Sequence, residues 1–198
     1  KFFFINKKNT KYKTSFYYDI NEDKDKKHDR VIFNLSRNQK LIYNDVRKFG
    51  FIKFIKNINL KQNLHLKNLG PEPLEKKFNF SYFKQYIINK NRTIKDILMD
   101  QKFISGLGNI YVNETLFFSG IKPTKKVKNL SEGEIRKIIK FIKRILSKAI
   151  ALGGSSIKNF SSNNGKKGLF QQYFCVYGKK GEKCSKKSCG SNIIKIVI

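Results

Sequence analysis

The chain has 198 residues, of which 43 are Lys or Arg and 14 are Asp or Glu, so its formal net charge is +29. A charge of this size favours polyanionic partners and salt-sensitive binding, and lysine enrichment from an AT-rich genome explains only part of it. No apolar run is long enough to cross a membrane, and three cysteines do not make a disulfide framework, so we expect a reducing cytoplasm.

The first part of the chain, up to about residue 69, has the composition of β-structure. Residues 36–39 are predicted to form a hairpin turn, and residues 70–73, with one glycine and two prolines, end the β region. Three runs rich in β-branched and aromatic residues predict strands: 31–35, 41–43 and 49–55.

The pattern beyond residue 73 is helical. The strongest helix is predicted over 132–152, where an apolar stripe keeps the i, i+3, i+4, i+7 spacing of one buried face. Ser131 and Glu134 form a capping box at its start, and the glycines at 153 and 154 end it. Its other face is equally typical of a solvated surface and of a DNA-binding surface, and carries six cations: Arg136, Lys137, Lys140, Lys143, Arg144 and Lys148.

The most informative segment is a break between two helices at residues 105–110. Gly106 and Gly108 let the backbone turn tightly, and Asn109 is predicted to cap the helix that follows. The first N–H groups of that helix would then face a site suited to a phosphate, which in so basic a chain belongs to a nucleic-acid backbone.

Charged residues flank this break. Lys90, Arg92 and Lys95 lie before or at the start of the first helix, where cations oppose the helix dipole, and a local phosphate would explain their placement. Glu114, one turn into the second helix, is expected to cap it or to pair with a lysine.

Two further candidates lie in the β region. Residues 45–50 join two predicted strands and place Arg47 beside Phe49, so that a cation can meet a phosphate and a ring can meet a base stack. The simpler interpretation is an ordinary hairpin with Phe49 in the core. His28, among lysines, is either a phosphate contact or solvated surface.

The C-terminal part holds the cysteines. Cys184 and Cys189 follow a basic, glycine-bearing turn and are either two of the four thiolates of a structural zinc site or two unrelated free cysteines. Residues 155–168 are predicted as a loop, and 169–177 as a strand with Cys175 as a small core residue.

Both ends of the sequence indicate a fragment of a longer protein. The chain begins inside an apolar run, and residues 193–198 are predicted as a strand whose partner is missing.

Short segments in a fixed order carry a resemblance: KHD (27–29), DVRKFG (45–50), LGPEPL (69–74), LMDQ (98–101), GLGNIY (106–111) with Glu114, GIKP (120–123), GGSS (153–156) with Asn159 and Phe160, GLFQ (168–171), VYG (176–178) and GEKC (181–184). In this order they resemble the bacterial formamidopyrimidine-DNA glycosylases, the base-excision enzymes for 8-oxoguanine and ring-opened purines. So many segments in order are very specific, although no single one is decisive. The resemblance covers the chain from about residue 26 to its end.

The resemblance implies an α+β fold in three parts. Residues 1–70 would be the C-terminal part of a β-sandwich catalytic domain, 71–160 a helix–two-turn–helix DNA-binding domain, and 161–198 the end of a lesion loop with the first half of a zinc-finger β-hairpin. The implied function is DNA repair by a bifunctional glycosylase and AP lyase that flips the damaged base and forms a Schiff base with the sugar. The resemblance also implies that the protein binds damaged double-stranded DNA and does not bind a membrane. It implies a monomer that contains structural zinc and is associated with the nucleoid in a bacterial cytoplasm.

Residue roles follow from the same resemblance. His28, Arg47 and Lys90 match DNA contacts, and Arg47 with Phe49 matches the side chains that fill the gap left by the flipped base. Asn109 matches a phosphate-gripping residue, and Lys95 a basic contact near the damaged nucleotide. The lesion loop that folds over the purine would include Ser155, Ser156, Ile157, Lys158, Asn159 and Phe160, and zinc would be bound by Cys184 and Cys189.

The family's catalytic residues have no counterpart in the sequence. Its nucleophilic N-terminal proline, general-acid glutamate and lyase lysine would lie upstream of Lys1, and its last two zinc cysteines beyond Ile198. We therefore expect the 198 residues alone to be inactive in excision.

Two alternatives remain open. Endonuclease VIII, which acts on oxidised pyrimidines, shares the two-turn motif and the zinc finger, but residues 69–74 and 176–178 favour the purine enzyme. A non-enzymatic nucleic-acid-binding protein is the alternative from another class.

Overall fold

The structure is a computed structural model that describes residues 2–5, 11–12, 26–155 and 168–196. It divides into two compact units. The sheet unit consists of Lys1–Phe54 and Ala149–Tyr173, and the helical unit consists of Ile55–Lys148 and Phe174–Ile198.

Among its described residues, the sheet unit contains one antiparallel sheet of four strands in the order β2-β1-β4-β3. The strands are β1 (Phe2–Ile5), β2 (Lys11–Tyr12), β3 (Asp29–Leu35) and β4 (Gln39–Asn44). The predicted turn between β3 and β4 is confirmed as a 3₁₀ turn, Ser36–Asn38, in which Arg37 and Asn38 take positive φ angles.

The strand predicted over 49–55 is wrong. After β4 the Asp45 carboxylate accepts hydrogen bonds from the backbone N–H groups of Arg47 and Gly50, which turns the chain into a loop. Lys48 takes a positive φ of 57°, which interrupts an extended strand. Farther on, Asn57–Gln62 is a 3₁₀ helix rather than β-structure.

Four α-helices are described beyond the sheet: α1 (Phe80–Ile87), α2 (Ile94–Met99), α3 (Asn109–Ser119) and α4 (Glu132–Ala151). Their apolar faces pack into one core, in which Phe103 contacts four aromatic rings: Phe78, Tyr82, Phe83 and Tyr86. The buried residues of α1 and α2 in this core are Phe83, Ile87, Ile94, Ile97 and Leu98.

The predicted long helix is confirmed as α4. Ser131 N–H donates to the Glu134 carboxylate at 2.8 Å, and Glu134 N–H donates back to Ser131 Oγ at 3.2 Å, which is the predicted capping box. At the other end Gly153 takes a φ of 73° and Gly154 N–H bonds to Ala149 O, so the two glycines stop the helix.

Two predicted C-terminal strands are wrong. Phe170–Tyr173 is a 3₁₀ helix, and Cys175 is half-buried outside any strand. Residues 193–196 are the described part of the second predicted strand, and they form no strand. Next to them, Asn192 forms an isolated β-bridge with Lys183, and Ile193 N–H donates to Glu182 O.

The fold class is α+β, as expected. Within residues 26–155 and 168–196, no helix is long and apolar enough to span a membrane.

Candidate nucleic-acid interface

The break between α2 and α3 is held by the side chain of Gln101. Its Oε1 accepts a 2.7 Å hydrogen bond from Gly106 N–H, and its Nε2 donates to Leu107 O at 3.1 Å. Leu107 is fully buried, and Gly106 has a φ of 78°. The two hydrogen bonds of Gln101 therefore fix the backbone of the turn. A Cβ atom added to Gly106 or Gly108 would meet no atom within 4 Å, so the space beside both glycines is open.

Asn109 does not cap α3, contrary to the sequence prediction. Gly108 is the N-cap residue and Asn109 is the first helical residue, exposed to solvent. The first α-helical hydrogen bond runs from Val112 N–H to Gly108 O, so the N–H groups of Asn109 and Ile110 have no helical acceptor. Asn113 Nδ2 donates to Asn109 Oδ1 at 2.9 Å and orients that side chain at the head of the helix. Outward N–H groups with an oriented amide form an arrangement that suits an anion.

The cations before α2 and in its first turn have different environments. Lys90 Nζ lies 4.2 Å from the centre of the Tyr86 ring, and Lys95 is half-buried in the first turn of α2. Arg92 forms an ion pair of 2.7 Å with Asp100, so no phosphate is needed to explain its placement. Burial raises the pKa of the Asp100 carboxyl, but the Arg92 hydrogen bond and the Lys102 N–H outweigh it and leave the pKa below its ordinary value.

Glu114 neither caps α3 nor pairs with a lysine, contrary to expectation. Its carboxylate is buried and accepts three backbone hydrogen bonds, from Cys175 (2.9 Å), Val176 (3.0 Å) and Tyr177 (2.8 Å). It therefore ties α3 to the chain that leads to the two candidate zinc cysteines. Lys186 adds a second tie, because its Nζ donates to Phe117 O at 3.1 Å.

The loop after β4 presents Arg47 and Phe49 to solvent. Phe49 is 78% exposed, so the simpler interpretation of an ordinary hairpin with a core phenylalanine is wrong. The Arg47 guanidinium lies 5.0 Å from the centre of the Phe49 ring, close enough for a cation–π contact. The two side chains form one exposed group that is cationic and aromatic.

Asp45 shapes this loop. The Gly50 N–H bond lowers the pKa of its carboxyl most, the N–H of Arg47 and the hydroxyl of Tyr43 add to that effect, and burial opposes it. A Cβ on Gly50 would overlap Tyr43 Oη, so only glycine fits there without a shift.

His28 lies beside the same loop, because its carbonyl accepts a 2.9 Å hydrogen bond from Asp45 N–H. Its ring Nδ1 is 3.4 Å from an Arg30 nitrogen. The fold thus brings three predicted contacts of the sheet unit together: His28, Arg47 and Phe49.

The predicted lesion loop is described only at its edges. Ser155 bridges Leu169, whereas the predicted positions Ser156, Ile157, Lys158, Asn159 and Phe160 lie outside the described residues.

Cys184 and Cys189 are both half-buried free thiols in one turn. The Ser191 N–H and then the Cys184 side chain lower the pKa of the Cys189 thiol, which favours the thiolate that a metal requires. Two thiols fit half of a tetrahedral zinc site, and within residues 26–155 and 168–196 no group of three or more metal-ligating side chains occurs.

Sequence reasoning gave no role to Gln101 and Asp45, and it predicted the wrong partners for Glu114. Of these, Glu114 alone has a sequence signal, since it is an acid between apolar Val112 and Leu116 on a buried helix.

Known proteins match this chain over most of its length. A family profile described as the formamidopyrimidine-DNA glycosylase H2TH domain matches residues 69–161. The formamidopyrimidine-DNA glycosylase of Rickettsia bellii (strain OSU 85-389) is 44% identical over 170 residues, which cover 86% of this chain and 61% of that protein. That of Bacillus subtilis (strain 168) is 42% identical over 177 residues, covering 89% and 63%.

One of the solved structures with a similar fold contains DNA. It is a complex between a Lactococcus lactis FPG mutant and a Fapy-dG containing DNA, with a TM-score of 0.81 and 35% identity over 100% of this chain and 66% of that chain. The chain spans about three fifths of the length of the curated relatives it matches. Through these matches, the chain is similar to the formamidopyrimidine-DNA glycosylases, and residues 69–161 match the H2TH domain of that family.

Proposed function

We propose that the protein containing this chain acts in base-excision repair of oxidised purines, 8-oxoguanine and formamidopyrimidines, as a DNA glycosylase and AP lyase. The observation that carries this proposal is the turn at the head of α3, where Gln101 fixes the backbone, the N–H groups that begin the helix have no helical acceptor and Asn109 is exposed. Helix N-termini of this kind bind phosphates. The similarity of the chain to formamidopyrimidine-DNA glycosylases supports damaged double-stranded DNA as the source of that phosphate.

Each candidate residue has a proposed task. Asn109 and the first N–H groups of α3 hold a backbone phosphate, and Lys90 and Lys95 add positive charge nearby. Arg47 and Phe49 enter the duplex, where the ring stacks on a base and the guanidinium occupies the place of the extruded nucleotide. His28 supports that loop and contacts the backbone, and the segment from Ser155 to Phe160 closes over the damaged base.

The proposed zinc site uses Cys184 and Cys189 as two of its four ligands. Zinc would supply a structural crosslink of the hairpin that contains them, and Glu114 and Lys186 fix the start and the middle of that segment to α3. We propose the domain limits 1–70, 71–160 and 161–198, a monomeric state and a location at the nucleoid of a bacterial cytoplasm.

Binding to a set of duplexes tests the repair proposal. The purified protein should bind a duplex with 8-oxoguanine or an abasic-site analogue more tightly than an undamaged duplex or one with an oxidised pyrimidine. The substitution Asn109→Ala should weaken binding about ten- to a hundredfold, as expected for the loss of a hydrogen bond to a charged group. The matched control Asn129→Ala, an exposed residue at the end of a 3₁₀ turn, should bind as the unmodified protein does.

Two results would overturn the proposal. A preference for oxidised pyrimidines would favour an endonuclease VIII-type enzyme, and equal binding of all duplexes would favour a non-enzymatic nucleic-acid-binding protein.

We also infer that the polypeptide of residues 1–198 by itself binds DNA without excising the lesion, because no residue in it matches the family's nucleophilic proline. Borohydride would then trap no covalent complex between this polypeptide and 8-oxoguanine DNA. A trapped complex would refute the inference.

A further inference from the structure

We propose that the solvent face of α4 is a second DNA-binding surface, which contacts phosphates without reading sequence or damage. This surface, the basic stripe, consists of Lys137, Lys140 and Arg144. Its assignment to DNA rather than to another polyanion rests on the proposed function, but its geometry and its test are separate from those of the Asn109 turn.

The basic stripe is straight and exposed. Its three residues follow the i, i+3, i+7 spacing of one helix face, and all three are exposed. The opposite face contains Ile135, Ile138, Ile142 and Ile145, which are buried. Because the buried face fixes the rotation of α4, the cations have to point away from the core. The three Cα atoms span about 10 Å of a rigid helix, and B-DNA presents a phosphate every 3.4 Å of axis on each strand.

Among the described residues, no acid forms an ion pair with the basic stripe. The two acids of α4 both lie in its first turn, where Glu132 pairs with Lys84 at 2.6 Å and Glu134 pairs with Lys125 at 2.6 Å. From Ile135 to Ala151 the helix has six cations and no acid. None of the three stripe residues forms an ion pair with any residue that the structure describes.

Two other cations on α4 contact groups of the protein. Arg136 packs over the Phe80 ring at 4.0 Å, and Lys143 Nζ reaches Glu75 O at 3.5 Å. These two side chains are directed back to the protein, which separates them from the basic stripe.

The arrangement lowers the stability of the isolated helix. Lys140 has a like charge three residues before it and another four residues after it, and like charges at these spacings repel on a helix surface. An AT-rich genome explains many lysines, but it does not explain a helix face from which every acid is missing. A row of phosphates against the basic stripe would remove the repulsion and release counterions.

Binding at several salt concentrations tests the basic stripe. The triple variant Lys137→Gln, Lys140→Gln, Arg144→Gln keeps good helix formers on α4 and should remain folded, as circular dichroism and a melting curve would verify. It should bind undamaged duplex DNA at least about tenfold more weakly at low salt, with a salt slope reduced by about 2–3. The ratio of its affinities for abasic-analogue and undamaged duplexes should stay unchanged.

The matched control removes the same charge elsewhere. Lys56, Lys67 and Lys128 are exposed and lie outside the α-helices, so the variant Lys56→Gln, Lys67→Gln, Lys128→Gln should change the salt slope by less than about 1. Equal losses in the two triple variants would overturn the proposal, because only net charge would then matter. A loss confined to duplex RNA would assign the surface to RNA instead.

The outcome is independent of the repair proposal. The protein could bind all duplexes equally while, of the two triple variants, only the stripe variant loses affinity for DNA. That result would support the basic stripe and refute the repair proposal. If the variant loses affinity for damaged DNA only, the stripe belongs to the lesion site and the second surface does not exist.

Discussion

Glu114 Oε1 accepts a 2.8 Å hydrogen bond from Tyr177 N–H, although 62 residues separate the two along the chain. With the bonds from Cys175 and Val176, this carboxylate takes the backbone donors of three consecutive residues. A glutamine here would offer one acceptor oxygen to three donors, which explains an acid on the buried side of α3.

The substitution Glu114→Gln should lower the free energy of unfolding by about 1–3 kcal/mol, because an amide nitrogen replaces one acceptor oxygen and leaves buried N–H groups unpaired. Denaturant unfolding monitored by circular dichroism would measure the change. The control Glu132→Gln breaks an exposed ion pair with Lys84 and should cost clearly less, because solvent screens such pairs. Equal losses in both variants would contradict the proposed tie.

Gly106 and Gly133 should respond oppositely to alanine. Gly106 has a positive φ of 78°, so Gly106→Ala should cost roughly 1–2 kcal/mol even though its Cβ would meet no atom. Gly133 lies in the first turn of α4 with only an ordinary contact to Ser131, so Gly133→Ala should stabilise the protein by up to about 1 kcal/mol. Thermal melts of the two variants test the signs, and a stabilising Gly106→Ala would show that the turn is not held in the left-handed region.

The sequence predicts best where structure depends on local neighbours. The start of α4 follows from Ser131 and Glu134, three residues apart, and its burial follows from a single stripe of isoleucines. Both signals lie within a few turns of one helix, so no distant partner can alter them.

The failed predictions have distant or unseen partners. Residues 175–177 have strand-like composition, but their N–H groups are taken by Glu114, which lies some sixty residues earlier. Residues 49–55 also have strand-like composition, but the Asp45 carboxylate accepts a hydrogen bond from the backbone N–H of Gly50 at the start of that segment. At the candidate interface, Gln101 holds the turn through two side-chain hydrogen bonds that no sequence spacing announces. Side-chain to backbone bonds of this kind compete with regular structure and leave little trace in a hydrophobic pattern.

Phe103 should be the most sensitive aromatic residue of the helical unit. It is fully buried among four other rings, and its carbonyl accepts a 2.7 Å hydrogen bond from the Tyr82 hydroxyl. Phe103→Ala should therefore cost about 3–5 kcal/mol in the free energy of unfolding. Phe118, which is 42% exposed and stacks on Phe141, is the matched control, and Phe118→Ala should cost clearly less. A reversed order would place the core elsewhere.

The loop that presents Arg47 and Phe49 should open at low pH. The Gly50 N–H bond holds the pKa of Asp45 below its ordinary value of 3.8. Since the pKa is lower in the folded state than in the unfolded chain, the carboxylate stabilises the loop above about pH 4, and this contribution is lost as the pH falls through the folded-state pKa. No change is expected between pH 8 and pH 5.

The amide proton of Gly50 reports this titration directly. In protein labelled with ¹⁵N-glycine, which gives only 13 glycine positions, the Gly50 resonance should shift with a midpoint below 3.8. Asp45→Asn should abolish that midpoint while the resonance of Gly133, far along the chain, is unaffected. A midpoint at or above 3.8 would mean that the Asp45 carboxylate does not hold the loop, and the exposed pair of Arg47 and Phe49 would then need another support.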